Sequence, residues 1–475
     1  MSDDKTPTPP TSGGGADPCA GGGKCPCTNW PINIKGKLFW TRTWDYNDET
    51  KAGVSVKEFL PGAKAELHTQ AKGASAASAH SSVDLTDDGE FAFTNVAECS
   101  KLTVQISLEH RGGIIVSVKG KTIQGNAKHV DDADFHVHTG ATVWHELPLP
   151  PAKLDGCTKD VDLGEVEITR AHFVDICDAY KSVWFGHKRL IELGGTDQPI
   201  CQINYPQDPA LGVSNASVQM DLAKDDLKDR DVILHEYGHF IGTNVLGGLV
   251  HPGYGYNDDA TRQHGRTTKE HYEAAWNEGH ATFLSCALTD DAHYHDGYDT
   301  NLNFHLDTDN TLVGPHSEGS IQEALWRIYK VHNTSFKDGF WKAFSDRSKR
   351  TVRTIFDFFD NWKDLGIGNL DKVVESYKKF NMQYGYKYLD GTDKFGAVAA
   401  PKKYDLAKKQ FEKTAELYEH HGKLGSGTEV DYNEEFYNRN VQFNAGSLAA
   451  GSTIATPKVT AGTDYIVPDR MEVKA

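Results

Sequence analysis

His235-Glu236-Tyr237-Gly238-His239 constrains this chain more than any other segment. It lies inside an apolar run, Asp231 to Ile241, that predicts a buried helix. Residues four apart share one face of a helix, so both imidazoles can reach the same ion. Glu236 stands beside them, where a carboxylate can take a proton from a metal-bound water. The bare pattern also arises in ordinary amphipathic helices, so its surroundings must decide.

A second helical run, from about Thr268 to Leu288, carries Trp276-Asn277-Glu278-Gly279-His280-Ala281-Thr282-Phe283. Structural zinc sites close with four protein ligands, whereas catalytic ones keep three and leave a place for water; two histidines and a glutamate form one such set. Glu278 is therefore the expected third ligand beside His235 and His239. A purely structural site has no need of the Glu236 carboxylate. His280 lies two positions from Glu278 and is expected to point away from the metal, as a packing or surface residue. A solvated role is expected for His271.

HEYGH followed by NEGxAxF resembles the gluzincin metallopeptidases, which include thermolysin-like and fungalysin-like enzymes. A third segment, Gly314-Pro315-His316-Ser317-Glu318-Gly319-Ser320-Ile321, resembles that family's histidine-bearing helix start. Together the three motifs cover about 230–330. The resemblance implies an α+β zincin-like domain with a mainly helical C-terminal lobe and a cleft between lobes. It implies Zn2+ held by His235, His239 and Glu278, with Glu236 as general base. His316 would donate to the oxyanion, helped by a tyrosine of the Gly253–Tyr256 loop or by Tyr272. An edge strand before the zinc helix would pair with an extended protein or peptide substrate. Many relatives carry an aspartate four residues after the ligand glutamate, where it orients a zinc histidine; here that position is Thr282. A threonine can still accept a hydrogen bond, or a carboxylate such as Asp231 can substitute. The expected activity is that of a zinc-dependent peptidase, an endopeptidase.

The rest of the chain predicts a multidomain protein. Residues 1–29 form a Pro/Gly-rich leader with the composition of a disordered segment. Residues 31–150 read as short alternating strands, an all-β sandwich, with Asp88-Gly89 as a hairpin turn signal. Leu60 to Leu67 and the stretch from Asp87 resemble transthyretin-like or carboxypeptidase-regulatory-like modules, which imply support or binding. The metal domain is expected at 158–423 and a loop-rich extension at 424–475. Within the metal domain, Val166 to Leu193 predicts a helix, and Pro199 to Tyr205 and Asn215 to Asp221 predict strands. After His316 the helices expected are Ile321–Val331, Phe336–Phe344, Thr351–Trp362, Leu370–Phe380 and Leu406–His420.

A formal net charge of -17 disfavours nucleic acid and anionic membrane surfaces as partners. No apolar stretch reaches the length of a transmembrane span. The polar N-terminus lacks the features of a signal peptide, so cytoplasmic synthesis is expected, with export by a signal-independent route left open. Eight cysteines are few for this length. Most are expected as buried thiols, with a pairing of Cys157 to Cys177 or Cys201 open. Cys19, Cys25 and Cys27 match no trusted zinc spacing. Asp296, Asp299, Asp307 and Asp309 leave Ca2+ open, because hard cations prefer carboxylates. The competing functional class is a non-enzymatic binding or delivery protein. In it the β-sandwich is functional, the zinc domain is a scaffold, and a secretion apparatus engages the leader or the sandwich.

Overall fold

The computed structural model describes residues 31–43, 55–70, 78–96, 101–110, 113–117, 127–129, 142–148, 160–169, 171–205, 215–216, 219–223, 225–246, 266, 272–296, 303–307, 314–315, 317–380, 382–384, 387–388, 453–454 and 473–474. Two compact units divide the chain, Met1–Trp184 and Phe185–Ala475. Sheets dominate the first and helices the second.

The first unit runs β1 (Ile32–Thr43), β2 (Ser55–Phe59), β3 (Lys64–Gln70), β4 (Ser78–Asp84), β5 (Glu90–Val96) and β6 (Lys101–Ser107). It continues with β7 (Glu109–His110), β8 (Gly113–Ser117), β9 (Ala127–His129), β10 (Thr142–Pro148) and β11 (Asp160–Glu167). Helix α1 (Ala171–Glu192) follows and contains the division at Trp184. In one sheet β1 is central. It pairs in parallel with β11 and antiparallel with β5 along Ile32–Lys37 and with β2 along Phe39–Thr43. The other sheet of this unit is ordered β8-β10-β6-β3-β4 and is antiparallel along that path.

Alternation explains these strands. Ile32, Ile34, Leu38 and Trp40 of β1 are all fully buried, as the two-residue period of a half-buried strand requires. Gly36 takes the inward place between them, where a Cβ would stand 2.8 Å from the Phe91 ring. Ala65 and Leu67 on β3, and Val104 and Ile106 on β6, repeat the pattern.

Two local expectations are corrected, and one open question is answered. Val166 and Glu167 belong to β11, and the helix starts only at Ala171; Val161 and Leu163 alternate inward as strand residues do. The Asp88-Gly89 turn forms, with Gly89 at φ 75 and its N–H donating to the Thr86 carbonyl at 2.9 Å. It does not close a hairpin, because β4 pairs with β3 while β5 pairs with β1. Cys177 and Cys201 are free buried thiols, as is Cys286, so neither joins the disulfide that had been left open. Cys19, Cys25, Cys27, Cys99 and Cys157 lie outside the described residues.

The second unit opens with the strands β12 (Cys201–Tyr205), β13 (Asn215–Ala216) and β14 (Met220–Asp221). Asn215 to Asp221 is thus not one strand: β13 and β14 pair antiparallel with each other, and β14 runs parallel to β12. Next come α2 (Arg230–Leu246), α3 (Tyr272–Thr289), the hairpin of β15 (His293–Tyr294) and β16 (Phe304–His305), and α4 (Glu318–Trp326). Wide helical turns at Arg327–Val331 and Phe336–Trp341 lead to α5 (Lys342–Ser345), α6 (Ile355–Asp364) and α7 (Leu370–Lys379). Trp276 and Phe283 of α3 pack on Phe340, Phe344 and Phe358, which ties the middle helix to the aromatic core behind it. Among the described residues no helix is long and apolar enough to cross a membrane. The expected Leu406–His420 helix lies outside them.

One buried charge anchors α1 in the first unit. Asp178 accepts from Trp40 Nε1 at 3.0 Å and stands 3.7 Å from Arg42 Nε, with both charged side chains only 3% exposed. Removing one member of such a pair leaves the other charge buried, at about 3–5 kcal/mol. Asp178→Ala is expected to destabilise the chain by that order, read as a lowered urea midpoint. An unchanged midpoint would show that Arg42 is compensated without it.

Candidate metal centre

The HEYGH segment is helical because its start is capped and its body is buried. The Asp229 carboxylate accepts from the N–H groups of Asp231 and Val232 at 3.1 and 3.3 Å, and its carbonyl accepts from Ile233. An acidic side chain in this position satisfies N–H groups that have no partner within the helix and favours the positive end of its dipole. From Val232 to Thr243 every residue but His235 is buried, as expected of a helix apolar nearly all round. Tyr237 lies on the side away from the two histidines, where its hydroxyl meets His187 Nδ1 at 3.1 Å.

Small residues set the spacing of the helices. A Cβ on Gly238 would stand 2.8 Å from Ala281 Cα and 3.0 Å from its carbonyl oxygen. A Cβ on Gly279 would stand 2.7 Å from Ile321 Cβ. Two glycines, one beside a histidine of the motif and one beside Glu278, thus let α3 lie closely between α2 and α4.

This packing brings three predicted ligands together. His235 Nε2 and His239 Nε2 are 3.0 Å apart, and Glu278 Oε2 is 3.3 Å from the first and 3.1 Å from the second. The three side chains are 12%, 7% and 6% exposed. Ligand atoms about 2.0–2.1 Å from one tetrahedral zinc ion lie roughly 3.3 Å apart, so the triangle fits that ion. Its chemistry fits as well. His235 Nδ1 meets the Thr282 hydroxyl at 2.9 Å. With Nδ1–H donated there, the Nε2 lone pair faces the other two ligand atoms, and a cation relieves their mutual repulsion. Among the described residues this is the one cluster of three such groups whose ligand atoms converge.

Thr282 therefore takes the orienting position that the sequence left between it and Asp231. The Asp231 carboxylate accepts from the His295 N–H at 2.9 Å, tying α2 to the following hairpin. Glu236 is buried beside the triangle's helix face, at 6% exposure. His280 does point elsewhere, but it is no surface residue. It is fully buried, stacked on Trp276, and its Nδ1 meets the Trp276 carbonyl at 2.7 Å. Burial first, then the neighbouring His239, pushes its pKa down to about 3. It is neutral packing in the wall of the site.

His316 lies outside the described residues, as do His271 and the Gly253–Tyr256 loop; nothing is described of the Tyr272 side chain. Ser317 caps α4, accepting from the Ser320 N–H at 3.2 Å, so the helix begins at Glu318, three residues before the expected Ile321. Arg266, also missed by the sequence reading, meets the wholly buried Glu323 carboxylate of α4 at 2.5 Å.

Residues 204–372 match the family described as Mycolysin C-terminal domain. The match spans just over a third of the chain and contains His235, Glu236, His239, Glu278 and His316. It points to a peptidase. No curated protein matches the chain. Among solved structures, the crystal structure of a 9R-lipoxygenase from Cyanothece PCC8801 is similar at 12% identity, over 35% of this chain and 25% of that one, with a TM-score of 0.16. This chain thus spans a quarter of that protein, and the likeness is too slight to bear on fold or function.

Thr282→Val removes the hydroxyl while keeping the shape. Loss of such an outer partner typically weakens metal binding about 10–100-fold. Chelator competition is expected to show that loss in Thr282→Val and near-recovery in Thr282→Ser. Equal affinity in all three proteins would remove the orienting role.

Proposed function

We propose that this chain is a zinc-dependent endopeptidase acting on protein or peptide substrates. The observation that carries the reading is the buried triangle of His235, His239 and Glu278, closed to 3.0–3.3 Å, with Glu236 on the same helix. The match to a peptidase family over the same residues supports it. The two sheets of the first unit, each with a buried face, fit a supporting β-sandwich.

Zinc at the triangle supplies Lewis acidity, lowering the pKa of water and polarising a carbonyl. Glu236 accepts the proton that water loses as its oxygen adds to the scissile carbonyl carbon. The same carboxylate then hands the proton to the amine nitrogen as the C–N bond breaks. Thr282 fixes the ring of His235 during these steps. His316 is assigned, on its sequence motif, to donate a hydrogen bond to the oxyanion.

Metal analysis with casein digestion, with and without a chelator, tests the reading as a whole. Bound zinc and chelator-sensitive digestion are expected; a zinc-free protein that digests casein unchanged in chelator would overturn it. Glu236→Gln preserves shape and cannot accept the proton, so the variant is expected to keep zinc and lose turnover. Proteolysis at the wild-type rate would refute the general-base role. Loss of one oxyanion donor costs about a hundredfold to a thousandfold in turnover. His316→Ala is expected to lower kcat by that factor with little change in KM or zinc content; an unchanged kcat removes His316 from the mechanism.

A further inference from the structure

His235 is the least enclosed member of the triangle. From Val232 to Thr243 it is the one residue of α2 that is not buried, and its side chain is 12% exposed against 7% for His239 and 6% for Glu278. An imidazole turns about two side-chain torsions, and the second has a broad minimum. The Thr282 hydroxyl holds the His235 ring at Nδ1 alone, which leaves its tilt to be set by the surfaces it touches. His239 has an aromatic wall of its own, the buried His280 ring, edge-on with 6.3 Å between centroids. The counterpart for His235 is Tyr294 of β15, edge-on at 6.2 Å with the planes 68° apart. Both lie in the range of separations that aromatic pairs adopt.

Tyr294 is itself wedged in place. It is buried, and its ring stacks on Phe304 across the hairpin at 5.2 Å and 18°. The Arg266 guanidinium lies over Phe304, 4.0 Å from the ring centroid, and pairs with the wholly buried Glu323 carboxylate of α4. The backbone is pinned as well. Asp291 N–H donates to the Cys286 carbonyl of α3, His293 N–H to the Asp291 carboxylate, and His295 N–H to the Asp231 carboxylate of α2. A ring held in this way cannot swing from His235 without unstacking. Of the carboxylates that left Ca2+ open, Asp299 and Asp309 lie outside the described residues, and Asp307 accepts from the Trp326 indole at 2.9 Å. Calcium takes six to eight oxygen ligands, and no cluster of three carboxylates converges among the described residues. What the hairpin offers the metal centre is packing.

We propose, taking the triangle as a zinc site, that Tyr294 is a positioning residue of the metal centre. Its ring sets the tilt of His235 while Thr282 holds Nδ1, so that Nε2 stays aimed at the ion. The ring does this, not the hydroxyl. Residues that restrain one group do not act independently, and a double-mutant cycle exposes that coupling. Packing that merely stabilises the fold has no reason to couple to Thr282.

Zinc affinity is measured on the full chain by chelator competition in wild type, Tyr294→Phe, Tyr294→Leu, Thr282→Val and the double variant Thr282→Val with Tyr294→Leu. Tyr294→Phe is expected to bind zinc as wild type does. Tyr294→Leu is expected to bind it about tenfold more weakly, at the low end for loss of an outer partner. The loss in the double variant is expected to fall short of the product of the two single losses by about twofold or more, because a ring already freed at Nδ1 has less to lose. Phe304→Leu, which removes the stack behind the tyrosine, gives the same cycle if Tyr294→Leu does not fold. Wild-type affinity in Tyr294→Leu, a Tyr294→Phe as weak as Tyr294→Leu, or a double loss equal to or beyond the product would each overturn the role of the ring. A wild-type chain that takes up no zinc would remove the metal site itself, and the proposal with it.

Discussion

The close approach of α2 to α3 at Gly238 and Ala281 governs the metal centre. Metal–ligand distances are useful only within about 0.2 Å of their ideal values. A Cβ at Gly238 would meet backbone atoms of Ala281 at 2.8 and 3.0 Å, which cannot swing aside as a side-chain tip can. The added methyl group would push the helices apart by more than the ligand triangle tolerates. The same logic holds on the far side of α3, where Gly279 admits Ile321. Behind these contacts Trp276, Phe283, Phe340, Phe344 and Phe358 interlock, and a close-packed interior transmits little slack to the ligands.

Electrostatics then decides what this rigid frame holds. Two imidazole nitrogens and a carboxylate oxygen converge where water is largely excluded, so with both nitrogens unprotonated their lone pairs repel one another more strongly than they would in solvent. A cation turns those repulsions into coordination. Thr282 acts on the same balance from outside. Its hydroxyl orients His235 as a carboxylate would but brings no charge, so it raises the basicity of the imidazole less. Wall and ligand are separated by geometry: His280 stacks on Trp276 away from the triangle, and burial keeps it neutral.

The site was legible in the sequence to the extent that helical period determines it. His235 and His239, four apart in an apolar run, could only share a face, and Glu278 followed from the next helical run. The cap at Asp229 went unread, although an acidic residue just before an apolar run is an ordinary signal of a helix start. Pairing between distant segments was not legible. The parallel partner of β1 is β11, with Asn33 opposite Asp160, and no local pattern names a partner that far along the chain. Asp88-Gly89 shows the same limit: turn chemistry reverses the chain, but the sheet each arm joins is set by tertiary pairing. The cost of a side chain at Gly238 or Gly279 was equally invisible, because it depends on a neighbour dozens of residues away.

The β15–β16 hairpin and the helical centre share one structural joint. Asp231, in the first turn of α2, accepts from the His295 N–H, and the Tyr294 ring stands edge-on to His235 at 6.2 Å. The strand that carries His293 and His295 thus also buttresses a ligand of the buried triangle. Yet the side chains face apart: Tyr294 turns inward and its two histidine neighbours turn outward, as the alternation of an extended strand dictates.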